Sequence, residues 1–215
     1  IADFGPGDQL VNAERVRLNL GPESLLLVRP GGNLLTRFAS VESVGFVHAT
    51  GQTLTIPAGR TVRGVGNIPD HVEVRGRLLN SVSDDEDSLL TVTGLTLHDG
   101  AEARGVMVLA AGPTPTVIHG GTLVGSIFTS PEQPTTIIQH DGSARLQTLS
   151  VWGGTTADGV PVSSYELRGG AMDVGSFYLY GGRFTVANRA ASIHIHDLWR
   201  ITPGSQYIAA PGTTI

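Results

Sequence analysis

Histidine is the residue type in this 215-residue sequence whose spacing most suggests chemistry. His98, His119 and His140 follow one another at intervals of 21 residues. An imidazole titrates near neutral pH and binds metal ions, so one interpretation is a metal or proton-transfer ladder with Asp99 and Asp141 as orienting carboxylates. The other is a partly exposed structural stack. We favour the stack, because strands lie about 4.8 Å apart and a zinc ion with bonds of about 2.1 Å cannot span three of them.

Acidic side chains offer one candidate catalytic constellation. If the 21-residue repeats stack, Asp99 and Asp141 lie about 9–10 Å apart, with His119 between them as a proton shuttle. That separation is at the outer edge of the roughly 6.5–9.5 Å window of inverting glycoside hydrolases. Arg104 or Arg145 could serve as a lyase base, but neither lies in a lyase motif and the sequence contains no lysine. We therefore expect no catalytic residues and no cleavage of polysaccharide.

Two further clusters could bind a metal ion. Asp84, Asp85 and Asp87 lie in an acidic run, and carboxylate oxygens are the ligands that Ca²⁺ prefers. The run lacks the spacing of an EF-hand loop, so we expect a solvated loop there. His194 and His196 fall on one face of a strand, but the nearby sequence supplies no clear third ligand. The sequence therefore predicts neither a metal site nor any other cofactor.

Aromatic residues are concentrated in the last third of the chain. Trp152, Tyr178, Tyr180 and Trp199 are the candidates for a subunit interface or for contact with a glycan, since exposed aromatic rings serve both purposes. The alternation in Phe177–Tyr180 places the two tyrosines on one face of a strand. We expect the opposite face to belong to the core.

The elements that must position these residues are short strands closed by turns. Apolar runs of two to five residues, rich in Val, Ile, Leu and Thr, end at Gly, Pro, Asn or Asp throughout the chain. Each repeated histidine follows such a run and precedes a glycine, namely Gly100, Gly121 or Gly142. A glycine at a fixed place in each repeat is explained if that corner requires a positive φ. In such a stack we expect Ile118 and Ile138 to point inward.

This pattern predicts an all-β protein, a right-handed parallel β-helix of about seven or eight coils. A β-sandwich or jelly roll also has short strands at regular spacing and stays as the alternative, although it does not explain one tripeptide recurring every 21 residues. We expect residues 1–44 to form an irregular N-terminal strand or capping segment, residues 45–200 the coils, and residues 201–215 a C-terminal extension.

Composition excludes several function classes. The chain has no Cys, and all 14 of its basic residues are Arg, which removes disulfides, thiolate metal sites and lysine chemistry. The formal net charge is −5 and only 15% of residues are charged, so no basic face is available for nucleic acid. No apolar run approaches the roughly 20 residues of a membrane-spanning helix, and we expect no membrane insertion.

The coils at residues 95–100, 117–121 and 137–142 read Leu-Thr-Leu-His-Asp-Gly, Val-Ile-His-Gly-Gly and Ile-Ile-Gln-His-Asp-Gly. They resemble the right-handed parallel β-helices of the pectin-lyase-like superfamily, over about residues 45–200. That superfamily includes polysaccharide lyases and hydrolases, phage tailspikes and fibres, and bacterial adhesins.

The resemblance implies a structural or adhesive protein, with a phage or virion tail, fibre or surface component preferred. It also implies a virion, extracellular or cell-surface location, a homo-oligomer with a trimer favoured, and a surface polysaccharide as a further partner. The alternative is a polysaccharide-degrading lyase or hydrolase of the same fold.

Overall fold

A computed structural model describes residues 15–27, 38–48, 51–80, 89–133, 135–154 and 163–211. Sixteen β-strands and no α-helix lie within these residues. The strands are β1 Arg17–Leu27, β2 Ser40–Val47, β3 Leu54–Ile56, β4 Thr61–Val74, β5 Arg77–Asn80, β6 Leu90–Leu97, β7 Glu102–Ala110, β8 Thr116–Ile118, β9 Thr122–Thr129, β10 Thr136–Gln139, β11 Ser143–Trp152, β12 Ser164–Leu167, β13 Ala171–Tyr180, β14 Arg183–Val186, β15 Ser192–Ile201 and β16 Gln206–Ala209.

The strands join into a single sheet that coils on itself as a parallel solenoid of about seven turns. All the ladders between named strands are parallel, and strands inside the stack pair with the equivalent strands of the coils before and after them. The predicted parallel β-helix is therefore confirmed. The sandwich alternative is wrong, because it requires antiparallel ladders. None of the described elements is a helix that could cross a membrane.

Each coil presents three faces. Face A consists of the first halves of the long strands, such as residues 122–124 and 143–146, and face B consists of their second halves. Face C consists of the short strands β3, β8, β10, β12, β14 and β16, together with the end of β4 (residues 71–74) and the end of β6 (residues 94–97). The first part of β6, residues 90–92, belongs to face B. A break in register separates face A from face B in successive coils, and a tight turn joins face C to the next face A.

The parallel pairing crosses both of the predicted segment boundaries. β2 spans residue 45 and pairs with β4, while β15 spans residue 200 and pairs with β13. The division into a capping segment, coils and an extension stays a prediction.

The core lies inside the coils and is formed by alternate residues of each strand. Ile118 is fully buried, as predicted. The expectation for Ile138 is wrong: Ile137 and Gln139 point inward, and Ile138 lies on the outer side. The physical reason is that the buried Gln139 amide is satisfied, since its Oε1 accepts a hydrogen bond from the Tyr165 hydroxyl at 2.8 Å.

The repeated glycines occupy equivalent corners between face C and face A. Gly100, Gly121 and Gly142 have φ values of 71°, 78° and 83°. These angles lie in the left-handed region that glycine adopts without steric cost. Because neighbouring coils pack closely here, a Cβ on Gly121 would overlap the carbonyl oxygen of Ala101.

Candidate functional site

The three repeated histidines form a stack along one edge of the solenoid. Successive coils carry His98, His119 and His140 at the residue that follows face C, where the chain turns. The ring centroids are 5.4 Å apart for the first pair and 5.3 Å for the second, and the second pair is nearly parallel. We call this edge, formed by residues 98–101, 119–121 and 140–142, the histidine ridge.

A glutamate and an arginine flank the ridge at each end. Glu73 accepts hydrogen bonds from Arg75 and makes a 2.9 Å hydrogen bond to His98 Nε2. Arg75 holds the pKa of the Glu73 carboxyl below its usual value, and the hydrogen bond to His98 acts in the same direction. At the other end Arg168 lowers the pKa of Glu166 in the same way.

The three enzyme candidates share this ridge, as their spacing predicts. Asp99, His119 and Asp141 are all exposed on the turns of an outward edge. One oxygen of Asp141 accepts the backbone N–H of Gly142 at 2.8 Å, which makes it part of the turn. A general acid and base need a shared cleft in which a substrate can lie between them. An open depression of about 470 Å³, lined by Ala58, Arg75, His98, Asp99 and His119, reaches two of the trio, but Asp141 is not part of its lining.

The candidate metal ligands divide into two groups. Asp84, Asp85 and Asp87 lie outside the described residues. The rings of His194 and His196 lie side by side, with centroids 4.4 Å apart, and His196 Nε2 contacts a carboxylate oxygen of Asp173. Within the described ranges, no group of three or more His, Asp or Glu residues is arranged to hold a metal ion.

Three of the four candidate aromatic residues gather on the outside of face B. The rings of Trp152 and Tyr180 have centroids 4.2 Å apart, and Tyr178 stacks on Tyr180 at 5.8 Å. The guanidinium of Arg200 lies over the Tyr180 ring. Trp152 is 41% exposed although it is apolar. We call Trp152, Tyr178 and Tyr180 the aromatic strip.

The fourth aromatic residue, Trp199, has a different environment. It pairs in register with the buried Phe177, so its ring continues the interior column of the solenoid into the last described coil. The Trp199 ring packs on Phe177 at 5.3 Å and on Tyr207 at 5.2 Å. It is 37% exposed because no described coil covers it.

A groove that the sequence did not reveal lies beside the strip, where face A meets face B. It encloses about 610 Å³ and is open to solvent. Its lining includes Met107, Ser126, Phe128, Arg145, Gln147 and Thr148. The register breaks at Gly105 and Gln147 lie on this line, and both residues line the groove. No period-two pattern predicts such breaks, which is why only the isolated candidate Arg145 was identified from sequence.

Arg145 differs from two other arginines of face A, Arg77 and Arg104. Arg77 and Arg104 both donate to the carboxylate of Glu102. Arg145 makes no hydrogen bond or ion pair with any residue that the structure describes, and it is exposed at the mouth of the groove. The groove therefore presents a positive charge next to the half-buried apolar side chains of Met107 and Phe128.

Comparison of the chain with models of protein families, with curated proteins and with solved structures found no match. The likeness to the pectin-lyase-like superfamily therefore consists of a parallel β-solenoid architecture.

Proposed function

We propose that the protein is a structural and adhesive β-solenoid that acts as a homo-oligomer, most simply a trimer. In this proposal it is a component of a virion tail or fibre, or of a cell surface, and contacts a surface polysaccharide. The aromatic strip is the observation that carries the proposal. Aromatic side chains ordinarily supply core volume, and here a Trp and two Tyr rings are placed outside a core that is already filled by Phe177 and Leu179.

The surroundings of the strip suit a sugar. The neighbouring outward positions of face B are hydroxyl residues, namely Ser126, Thr148 and Ser176, aligned on successive coils. Aromatic faces stack on the apolar side of a pyranose ring, while hydroxyl groups exchange hydrogen bonds with its oxygens. Because the strip rests on a continuous parallel ladder, it is held rigidly and loses little conformational freedom on contact.

Binding and cleavage of polysaccharides test the proposal together. The purified protein is incubated with a panel of bacterial capsular and plant cell-wall polysaccharides, and both retention and polymer chain length are measured. We expect retention without shortening of the polymer. Trp152→Ala and Tyr180→Ala should weaken retention about fivefold each, since aromatic stacking contributes on the order of 1 kcal/mol beyond burial. His119→Ala, an exposed ring on another edge, is the matched control and should leave retention unchanged.

Two results of this experiment would contradict the proposal. If a polysaccharide is depolymerised and Asp141→Asn abolishes the activity, the structural proposal fails and a glycan-degrading enzyme takes its place. If no polysaccharide is retained, the adhesive part of the proposal fails.

A further inference from the structure

We propose that the copies of this chain assemble side by side, with the histidine ridge of one copy seated against the groove of the next. This inference rests on the proposed homo-oligomer and names the surfaces that form it. The ridge and the groove are the two edges of face A. A closed ring needs two different patches on each copy, one meeting the other on its neighbour. If face A points toward the symmetry axis, those two patches are the edges of that face.

Cyclic symmetry fixes which residues meet. When the solenoid axes are parallel to the symmetry axis, each coil of one copy lies at the same height as the same coil of its neighbour. Asp141 lies in the ridge turn that leads into β11, and Arg145 is the third residue of β11. The Asp141 carboxylate of one copy therefore meets the unpaired Arg145 guanidinium of the next.

One neighbouring coil carries the same match, and the other two place no like charges against each other. Arg104, Val124, Arg145 and Asp173 follow one another at the groove edge of face A. The equivalent residues of the turns at the corresponding heights are Asp99, Gly120, Asp141 and Gly169, and Arg168 comes directly before Gly169. Two of these coils thus place positive against negative, and one places neutral against neutral. In the fourth, the negative Asp173 lies at the height of a turn whose equivalent residue is the neutral Gly169.

The contacts that these charged residues already make within the chain indicate which pair contributes most to assembly. Arg104 already binds Glu102, Asp173 contacts His196, and Arg168 binds Glu166. Arg145 alone of the four groove-edge residues is charged and free of partners within the described chain. Its pairing with a second copy's Asp141 should therefore contribute most, as a charge-assisted hydrogen bond beside the apolar side chains of Phe128 and Met107.

The test is a charge swap measured by light scattering with size-exclusion chromatography. The wild-type protein should elute at a small multiple of its 22.5 kDa chain mass, three being expected. Arg145→Glu alone and Asp141→Arg alone should each weaken assembly about tenfold or more, and the double variant should regain most of the loss. Arg63→Glu is the matched control, because Arg63 lies on the same outward ladder but the turn at its height, residues 57–60, carries no carboxylate.

A disulfide cross-link between copies tests the same contact if a charge variant misfolds. The chain has no Cys, so Asp141→Cys with Arg145→Cys introduces the only thiols, and oxidation should join separate copies into covalent rings. Arg63→Cys with Asp141→Cys should remain monomeric on a denaturing gel. Unchanged assembly of Arg145→Glu, or absence of the cross-link, overturns the ridge-and-groove contact. The polysaccharide measurements on the aromatic strip are independent of that result, so the adhesive proposal then still stands.

Discussion

At the scale of single residues, the ridge corners show how backbone conformation and close packing act separately. Gly100 and Gly121 occupy equivalent turns and both have positive φ. An added Cβ at Gly100 would have no atom within 4 Å, whereas one at Gly121 would overlap the Ala101 carbonyl oxygen and lie 2.7 Å from the His98 oxygen. The first glycine is required by its dihedral angle alone, and the second by both effects.

Alanine substitutions at these two glycines should separate the effects. Gly100→Ala should destabilise the protein by about 1–2 kcal/mol, the cost of a left-handed conformation for a residue with a Cβ. Gly121→Ala should cost about 1–3 kcal/mol more, because the backbone of the preceding coil must move. Urea denaturation followed by circular dichroism measures both. Equal losses in the two variants would show that the coil spacing here is adjustable.

The interior also shows where residue-level prediction failed. A hydrophobicity pattern assigns Ile138 to the core and Gln139 to the surface. In the structure Gln139 is fully buried. Its side-chain oxygen accepts a hydrogen bond from the Tyr165 hydroxyl, and its side-chain nitrogen donates one to the Ala171 carbonyl at 3.2 Å. The burial that makes this pairing necessary also raises the pKa of Tyr165 well above its ordinary value. A buried polar pair is invisible to periodicity, because its two members are remote in sequence.

At the scale of elements, β4 and β6 are joined across face C by a titratable contact. His71 Nε2 hydrogen-bonds Thr96 Oγ1 at 2.8 Å, and the imidazole is half-buried against Gly94. Desolvation lowers the pKa of His71 below its ordinary 6.5, and the charge of Glu73 offsets only part of this. The folded protein therefore favours the neutral imidazole.

This shift predicts a loss of stability in mild acid. Between pH 6.5 and the lowered pKa of His71 the unfolded chain binds more protons, so stability should fall as the pH falls through that window. Glu73, Glu102 and Glu166 have pKa values lowered from 4.5, so their contributions are lost only at more acidic pH. Urea denaturation of wild type and His71→Gln at pH 7.5, 6.5 and 5.5 should show a smaller decrease for the variant. An identical decrease would assign the effect to other groups.

The strands and their order could be predicted from the sequence more readily than the register breaks within the strands. Three glycine-terminated tripeptides at a 21-residue interval indicated stacked coils, and they did so because equivalent residues must recur once per coil. The groove depends instead on single extra residues such as Gly105 and Gln147, which shift the register without altering the composition of a strand. Arg145 was identifiable from the sequence as a charged residue, but its position at a groove could be recognised only once the strand register was known.

At the scale of the whole molecule, the solenoid has no single core that all of its coils share. Each coil contacts only the coil before and the coil after it, so stability is a sum of neighbouring interfaces. The interior aromatic column of Tyr165, Phe184 and Tyr207 shows the principle, with ring centroids 5.4 Å and 5.8 Å apart along the stack. Trp199 lies at the open end of such a column, so removing its ring should destabilise only the coils at that end.

Hydrogen exchange should reveal this confinement. Trp199→Ala removes the ring that covers Phe177 and Tyr207, and we expect amide exchange in β15 and β16 to accelerate about tenfold or more, since a loss of about 1.4 kcal/mol corresponds to tenfold. Exchange in β7 and β9 should stay as in wild type, because at least two strands of the ladder, β11 and β13, separate them from β15. Trp152→Ala is the matched control: its ring lies outside the core, so β15 and β16 should be unaffected. Uniform acceleration across all coils in Trp199→Ala would mean that the stack unfolds as one cooperative unit rather than fraying from its end.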